Sequence, residues 1–176
     1  MTEKQIIQKI RNGDDSSYRK LFEENYNRLF RFMMQFSKKK DYDEVEEWVQ
    51  KAFIKAFYGL SNFNLSSKFK TWLFTIAINE MKQEMGLLRN KLNSDEELDN
   101  HLIEEYANEF EWHYDMKIIL EQISAEKKAV FILFEIEGYS HNEIANMLDI
   151  SYAASRTILS RTKKELQTIW QKEFGK

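Results

Sequence analysis

Apolar positions recur every three or four residues through most of this chain, the spacing of helices that each bury one face. Leu21, Tyr26, Leu29, Phe30, Met33 and Met34 form one stripe, with Asp14 or Asp15 placed to cap its start. A second helix is predicted from about Asp41 to Leu60, with Val45, Trp48, Val49, Ala52, Phe53, Ala56 and Phe57 inward. Gly59 sits at its predicted stop. A third begins near Lys68 and passes Lys82, with Phe69, Trp72, Leu73, Ile76 and Ala77 inward. Gly86 weakens its far end by roughly 1 kcal/mol relative to alanine. These methionine and aromatic stripes read as core, not as contacts to a cofactor.

The C-terminal third is punctuated more sharply. Ser124 is placed to cap a helix reaching Glu137, with Gly138 as a left-handed exit. Ser140-His141-Asn142-Glu143 reads as a capping box. The short helix it opens presents Ile144, Ala145, Met147 and Leu148. Asp149-Ile150-Ser151 then makes a tight turn, with Asp149 where the backbone often needs positive φ. Ser151 caps a last helix to about Glu173, with Leu159, Leu166 and Ile169 or Trp170 inward. A short helix, a tight turn and a longer helix match a helix-turn-helix. Small Ala145 lets the two helices approach, and Ile150 plugs the corner.

Composition supports an all-α chain. Among 176 residues there is no proline, against about 5% in an average protein, and only five glycines. With no cysteine, disulfides, thiolate zinc sites and a cysteine nucleophile are excluded. The first residues hold no apolar signal core. Trp72 to Ile78 and Ala129 to Phe134, the longest apolar stretches, fall far short of the roughly 20 residues of a membrane span. A soluble intracellular protein is expected.

Net charge is −3, but its distribution says more. Residues 1–92 carry a net +5, residues 93–115 hold nine acids and no base, and residues 116–176 carry a net +1. Like charges in a row repel and extend a chain, so the acidic run reads as a linker between two domains. A solvated acidic helix is the other reading, since Leu98, Leu102, Ile103 and Tyr106 keep partial helical spacing. From Ser151 to Lys164 there are four bases and no acid. Arg156, Arg161 and Lys164, with the hydroxyls of Ser151, Ser155, Thr157 and Ser160, make a face suited to phosphates and base edges in a major groove.

Catalysis finds little support. His101, His113 and His141 lack ligand spacing, so no metal site is expected, and neither a glycine-rich phosphate loop nor a nucleophile elbow occurs. A regulator whose N-terminal helices sense a ligand or dimerise remains open, as does a helical module whose basic face binds an acidic protein.

Four stretches in order resemble the extracytoplasmic-function (ECF) sigma factors, small initiation subunits of bacterial RNA polymerase. They are Leu21-Phe22-Glu23-Glu24-Asn25-Tyr26 with Arg28-Leu29-Phe30-Arg31-Phe32; the run Asp41 to Gln50 with Ala52-Phe53; Phe69-Lys70-Thr71-Trp72-Leu73-Phe74 with Ile76-Ala77 and Asn79; and Phe131 to Leu166. The resemblance implies two small helical domains, at about 1–92 and 113–176, joined by the acidic linker at 93–112. It implies that Asp43, Glu44, Glu46, Glu47 and Gln50 bind the polymerase clamp coiled coil, while the second domain meets the polymerase flap. It places Phe63, Asn64, Lys68, Lys70, Asn79, Lys82 and Gln83 against the melted minus-ten strand. Ser151, Ser155, Arg156, Thr157, Ser160, Arg161 and Lys164 would then face the minus-thirty-five duplex. It further implies an anti-sigma partner, cytoplasmic bacterial location, and neither cofactor nor small-molecule substrate.

The chain departs from the family pattern in places. Lys51 stands where the family usually has Glu, and Thr75, Ile78, Glu80, Gly86 and Leu87 stand in a helix usually rich in arginine. Ser155 replaces a usual core valine and Ile158 a usual arginine. Fewer bases near the minus-ten strand predict weak DNA grip by the first domain alone.

Overall fold

The computed structural model describes residues 2–37, 40–91 and 114–175. All regular structure among them is helical. The chain divides into two compact units, Met1–Asp99 and Asn100–Lys176. The linker expected at 93–112 lies outside the described residues, as does the alternative acidic helix for that run.

The first unit opens on α1 (Glu3–Arg11), which is not among the predicted elements. Thr2 and Gln5 form a capping box, and Ile6, Ile7 and Ile10 bury one face of this short helix. Helix α2 spans Ser16–Met34. Asp15 occupies its N-cap in helical conformation without a side-chain bond. The neighbouring Asp14 carboxylate instead accepts from the hydroxyls of Ser16 and Ser17. Leu21, Leu29, Phe30 and Met33 are buried as predicted, while Tyr26 and Met34 are half-buried.

Helix α3 runs over Tyr42–Gly59, and the Asp41 carboxylate caps it by accepting from the amides of Asp43 and Glu44 at 3.0 and 3.2 Å. Val45, Trp48, Val49, Ala52, Phe53 and Ala56 are buried, and Phe57 is half-buried. The helix ends at Gly59, but not through a left-handed exit: Gly59 lies at φ −80° and ψ −7°. Its missing side chain makes room for the indole of Trp72, since a Cβ there would meet ring carbons at 3.1 and 3.2 Å. A 3-10 turn, Leu60–Asn62, follows.

Helix α4 spans Phe69–Lys91. Phe69, Leu73, Phe74, Ala77, Ile78 and Met81 are buried along it. Two lateral ties join α3 to α4. Lys51 bonds Glu84 at 2.8 Å, and Lys55 pairs with Glu80, itself buried.

The second unit begins with α5 (Tyr114–Glu121), also not among the predicted elements. Ser124 caps α6 (Ala125–Phe131), which continues as a π-helical turn at Ile132–Ile136 before Gly138 exits at φ +73°. The predicted single helix is therefore a helix with a widened last turn, a feature often found at functional positions. Helix α7 spans His141–Leu148 and α8 spans Tyr152–Phe174. Ile119, Leu120, Ile123 and Leu166 form a core cluster of this unit, flanked by half-buried Met116, Phe131, Ile169 and Phe174.

Candidate functional site

The helix-turn-helix is built as its sequence dictates. Ser140 and Glu143 close both halves of the capping box. Asp149 ends α7 in the left-handed region at φ 58° and ψ 50°, and the Ile150 amide donates back to the Ala145 carbonyl at 3.0 Å. The Ser151 hydroxyl accepts from the Ala154 amide at 3.0 Å and starts α8. A side chain with a Cβ is strained in that left-handed conformation, and alanine lacks the local hydrogen bonding that helps Asp tolerate it. Asp149→Ala is expected to lower the urea unfolding midpoint by the equivalent of about 1 kcal/mol, whereas Asp149→Gly leaves it unchanged or raises it.

On α8, Arg156, Thr157, Ser160, Arg161 and Lys164 are all exposed and line one shallow groove with Tyr152 and Ala153. Six of the seven expected minus-thirty-five residues therefore face solvent, though the Ser151 hydroxyl is committed to the cap. Ser155 is the correction. It is fully buried, with its hydroxyl 2.9 Å from His141 Nδ1. It holds the core position usual for valine, and a buried hydroxyl needs the partner that His141 supplies. Ser155 cannot reach DNA. Lys163 is drawn off the groove by Glu135 of the π-helical turn, at 2.5 Å.

In the first unit, Asn79, Lys82 and Gln83 lie on one exposed face of α4, one turn apart. Asn64 and Lys68 are exposed on the loop before the helix, where Asn64 Oδ1 accepts from the Ser66 amide at 3.1 Å. Helix rise separates this loop from Asn79 by roughly 15 Å, a span for several nucleotides of single strand. The Lys70 ammonium sits 5.5 Å from the centre of the Phe74 ring. Phe63 is the second correction. It is 4% exposed, stacks on Trp72 with centroids 4.6 Å apart and meets Phe69 edge-on. Its ring shapes the loop from within and offers no face to a base.

Ile78 and Glu80 correct a further expectation. Both are buried, so neither occupies a DNA-facing position that an arginine has vacated. Their burial leaves Thr75, half-buried, as the described departure at the margin of that face.

Residues that the sequence does not single out hold this loop. Arg11 of α1 donates from Nε to the Leu60 carbonyl at 3.0 Å and from its terminal nitrogen to the Phe63 carbonyl. Glu3 accepts from the Phe69 amide at 2.9 Å and so helps cap α4. Arg11→Ala would strand the Phe63 carbonyl, while the Leu60 carbonyl keeps the Phe63 amide at 3.3 Å, and is expected to cost about 1–3 kcal/mol, read as a lowered midpoint in thermal denaturation.

The acidic start of α3 divides by role. Asp43, Glu47 and Gln50 are exposed on one stripe. Glu44 and Glu46 are half-buried, and Glu44 accepts from the Ser37 hydroxyl at 2.7 Å. Lys51 lies 2.7 Å from Glu47 and 2.8 Å from Glu84, and hydrogen bonds to these two carboxylates push its ammonium above the usual lysine range.

A capped helix-turn-helix whose second helix is free of acids up to Lys164, in a chain that also carries a helical unit with an acidic helix start, is the build of a DNA-binding transcription factor. Residues 21–90 match the family model for sigma-70 region 2, and residues 119–166 that for sigma-70 region 4. The ECF RNA polymerase sigma-E factor of Haemophilus influenzae is 25% identical over 181 residues, covering 95% of this chain and 94% of its own. RNA polymerase sigma factor YlaC of Bacillus subtilis is 28% identical over 166 residues, covering 90% and 92%. Among solved structures, the sigma factor RpoE of Bartonella quintana, determined with the anti-sigma factor NepR, superposes with a TM-score of 0.73 at 23% identity, over 89% of this chain and 98% of its own.

The chain belongs to the sigma-70 family of RNA polymerase sigma factors. It is of the extracytoplasmic-function type, a transcription initiation factor built from regions 2 and 4. No helix among the described residues is long and apolar enough to cross a membrane.

Proposed function

We propose that this factor opens promoters by dividing the work between its two units, taken as residues 1–92 and 113–176 with the acidic run 93–112 as tether. Asp43, Glu47 and Gln50 on α3 dock on the polymerase clamp coiled coil. An acidic helix start is favoured by the macrodipole and complements a basic partner surface. Asn64, Lys68, Lys70, Asn79, Lys82 and Gln83 hold the melted minus-ten strand through its backbone and extruded bases. Unstacking a base costs a few kcal/mol, offset by the pocket and phosphate contacts. Arg156, Thr157, Ser160, Arg161 and Lys164 on α8 read the minus-thirty-five duplex, and the same unit meets the polymerase flap.

The observation that carries this reading is the exposed, acid-free groove on α8, in a chain that also carries region 2. The factor supplies binding energy and no chemical step of its own, and it works in the cytoplasm where the polymerase works. An anti-sigma factor restrains it, as NepR binds the solved Bartonella relative. Footprinting of the full chain with core polymerase on a selected promoter tests the division. Protection at both the minus-ten and minus-thirty-five elements is expected, and protection confined to one would refute it.

A further inference from the structure

We propose that Tyr152 is a specificity-determining residue of the upstream duplex, its ring holding the Arg156 guanidinium over the groove and touching the neighbouring base pair. This rests on the reading of α8 as the DNA-facing helix. Tyr152 is the first residue of α8, one turn before Arg156. It is 47% exposed and lines the same groove as Arg156, Ser160 and Arg161. The Arg156 guanidinium carbon stands 5.8 Å from the centre of that ring.

The ring is itself held. His141 meets it edge-on, with centroids 5.9 Å apart and planes at 85°. His141 is fixed in turn by stacking on Phe134, with centroids 4.5 Å apart, and by the buried hydroxyl of Ser155. Phe134 belongs to the π-helical turn Ile132–Ile136. A row of contacts thus runs from that turn through His141 and Tyr152 and ends at an exposed guanidinium. Of these side chains, Phe134 and Tyr152 belong to no motif of the sequence.

Two consequences follow for recognition. Residues at the start of a recognition helix are those that approach base edges. An arginine already seated on an aromatic face loses less side-chain freedom when it bonds a base. Arginine pairs best with O6 and N7 of guanine, and an apolar ring edge beside it packs on a thymine methyl. The ligand chemistry is therefore duplex DNA with a guanine next to an A·T pair. Tyr152 carries no charge, so it contributes to base choice and little to phosphate attraction.

The test uses holoenzyme, the full chain with bacterial core RNA polymerase, on a duplex library randomised across the upstream element. The wild-type complex should enrich a motif containing that guanine step. Tyr152→Ala should lose preference at the base pair beside the guanine and bind the wild-type motif about threefold to thirtyfold more weakly. Its affinity for unselected duplex should not change, and Tyr152→Phe should keep the wild-type preference. A Tyr152→Ala complex that enriches the same motif with the same affinity would overturn the proposal alone. An equal loss on selected and unselected duplex would also overturn it, by showing a general structural role. A wild-type complex that enriches no upstream motif would overturn the DNA-facing reading of α8 as well.

Discussion

Replacing Arg156 and Arg161 together with alanine is expected to weaken minus-thirty-five binding by about thirtyfold or more. Each arginine that reads a base edge contributes roughly 1–3 kcal/mol. The two are exposed and line one groove on α8, and the sum of the two contributions sets the expected loss. Because each also neutralises charge near the phosphates, the salt dependence of binding should flatten as well. Arg161→Ala alone should show the single-residue share of the loss. Fluorescence anisotropy of holoenzyme on the selected upstream duplex, repeated at several salt concentrations, measures both quantities. Unchanged affinity and slope would mean that these guanidinium groups are merely solvated.

Phe69→Ala is expected to be the most destabilising single change in the first unit, at about 3–5 kcal/mol. Phe69 is fully buried at the first turn of α4, edge-on to both Phe63 and Trp72. Its amide donates to Glu3 of α1. Truncation would leave a cavity beneath the loop that presents Asn64 and Lys68. Since small domains hold only about 5–15 kcal/mol in total, a measurable unfolded population should result at physiological temperature. Thermal denaturation followed by circular dichroism checks the size of the effect. Capture of the minus-ten strand should fall with it, while Phe69→Leu, which fills most of the volume, should retain both. A melting curve unchanged by the alanine variant would show that the aromatic group does not hold the loop.

The helix-turn-helix was legible because its signals are local. Ser140 with Glu143, the left-handed Asp149 and the Ser151 cap each act within four residues, and an acid-free run is visible by reading along the chain. The stripes of α2, α3 and α4 were legible for the same reason. The rest depends on partners distant in sequence. Phe63 looks like a loop aromatic until Trp72 stacks on it, and Trp72 in turn needs the bare Gly59. Ser155 looks like one more hydroxyl on a polar helix until His141, fourteen positions earlier, accounts for its burial. Glu80 looks like a lost basic contact, yet it is buried and paired with Lys55 across the α3–α4 seam.

Helix α1 falls between these cases. Its nine residues are too few for a strong periodic signal, although Thr2 and Gln5 spell a capping box and three isoleucines share a face. Reading that box would have located the helix. Nothing local reveals that its Arg11 and Glu3 reach the loop and the start of α4.

Lys51 shows how a departure from a family pattern acquires a structural reason. A base where the family usually carries an acid would disturb a docking face if it pointed outward alone. Here it is shared between Glu47 and Glu84, and Lys55–Glu80 repeats the arrangement one turn on. Glu80, at one of the α4 positions where the family usually carries arginine, is thus the partner of a base on α3. Such part-exposed pairs contribute modestly to stability, so their main effect is to fix how the two helices face each other.

Run-off transcription with purified bacterial core RNA polymerase and a genomic promoter library tests the initiation role most directly. Adding the full chain should produce discrete start sites that share two upstream elements, with the more distant one lost in the Arg156→Ala, Arg161→Ala double variant. Transcripts indistinguishable from those of core polymerase alone, with no association between the chain and the polymerase, would contradict it.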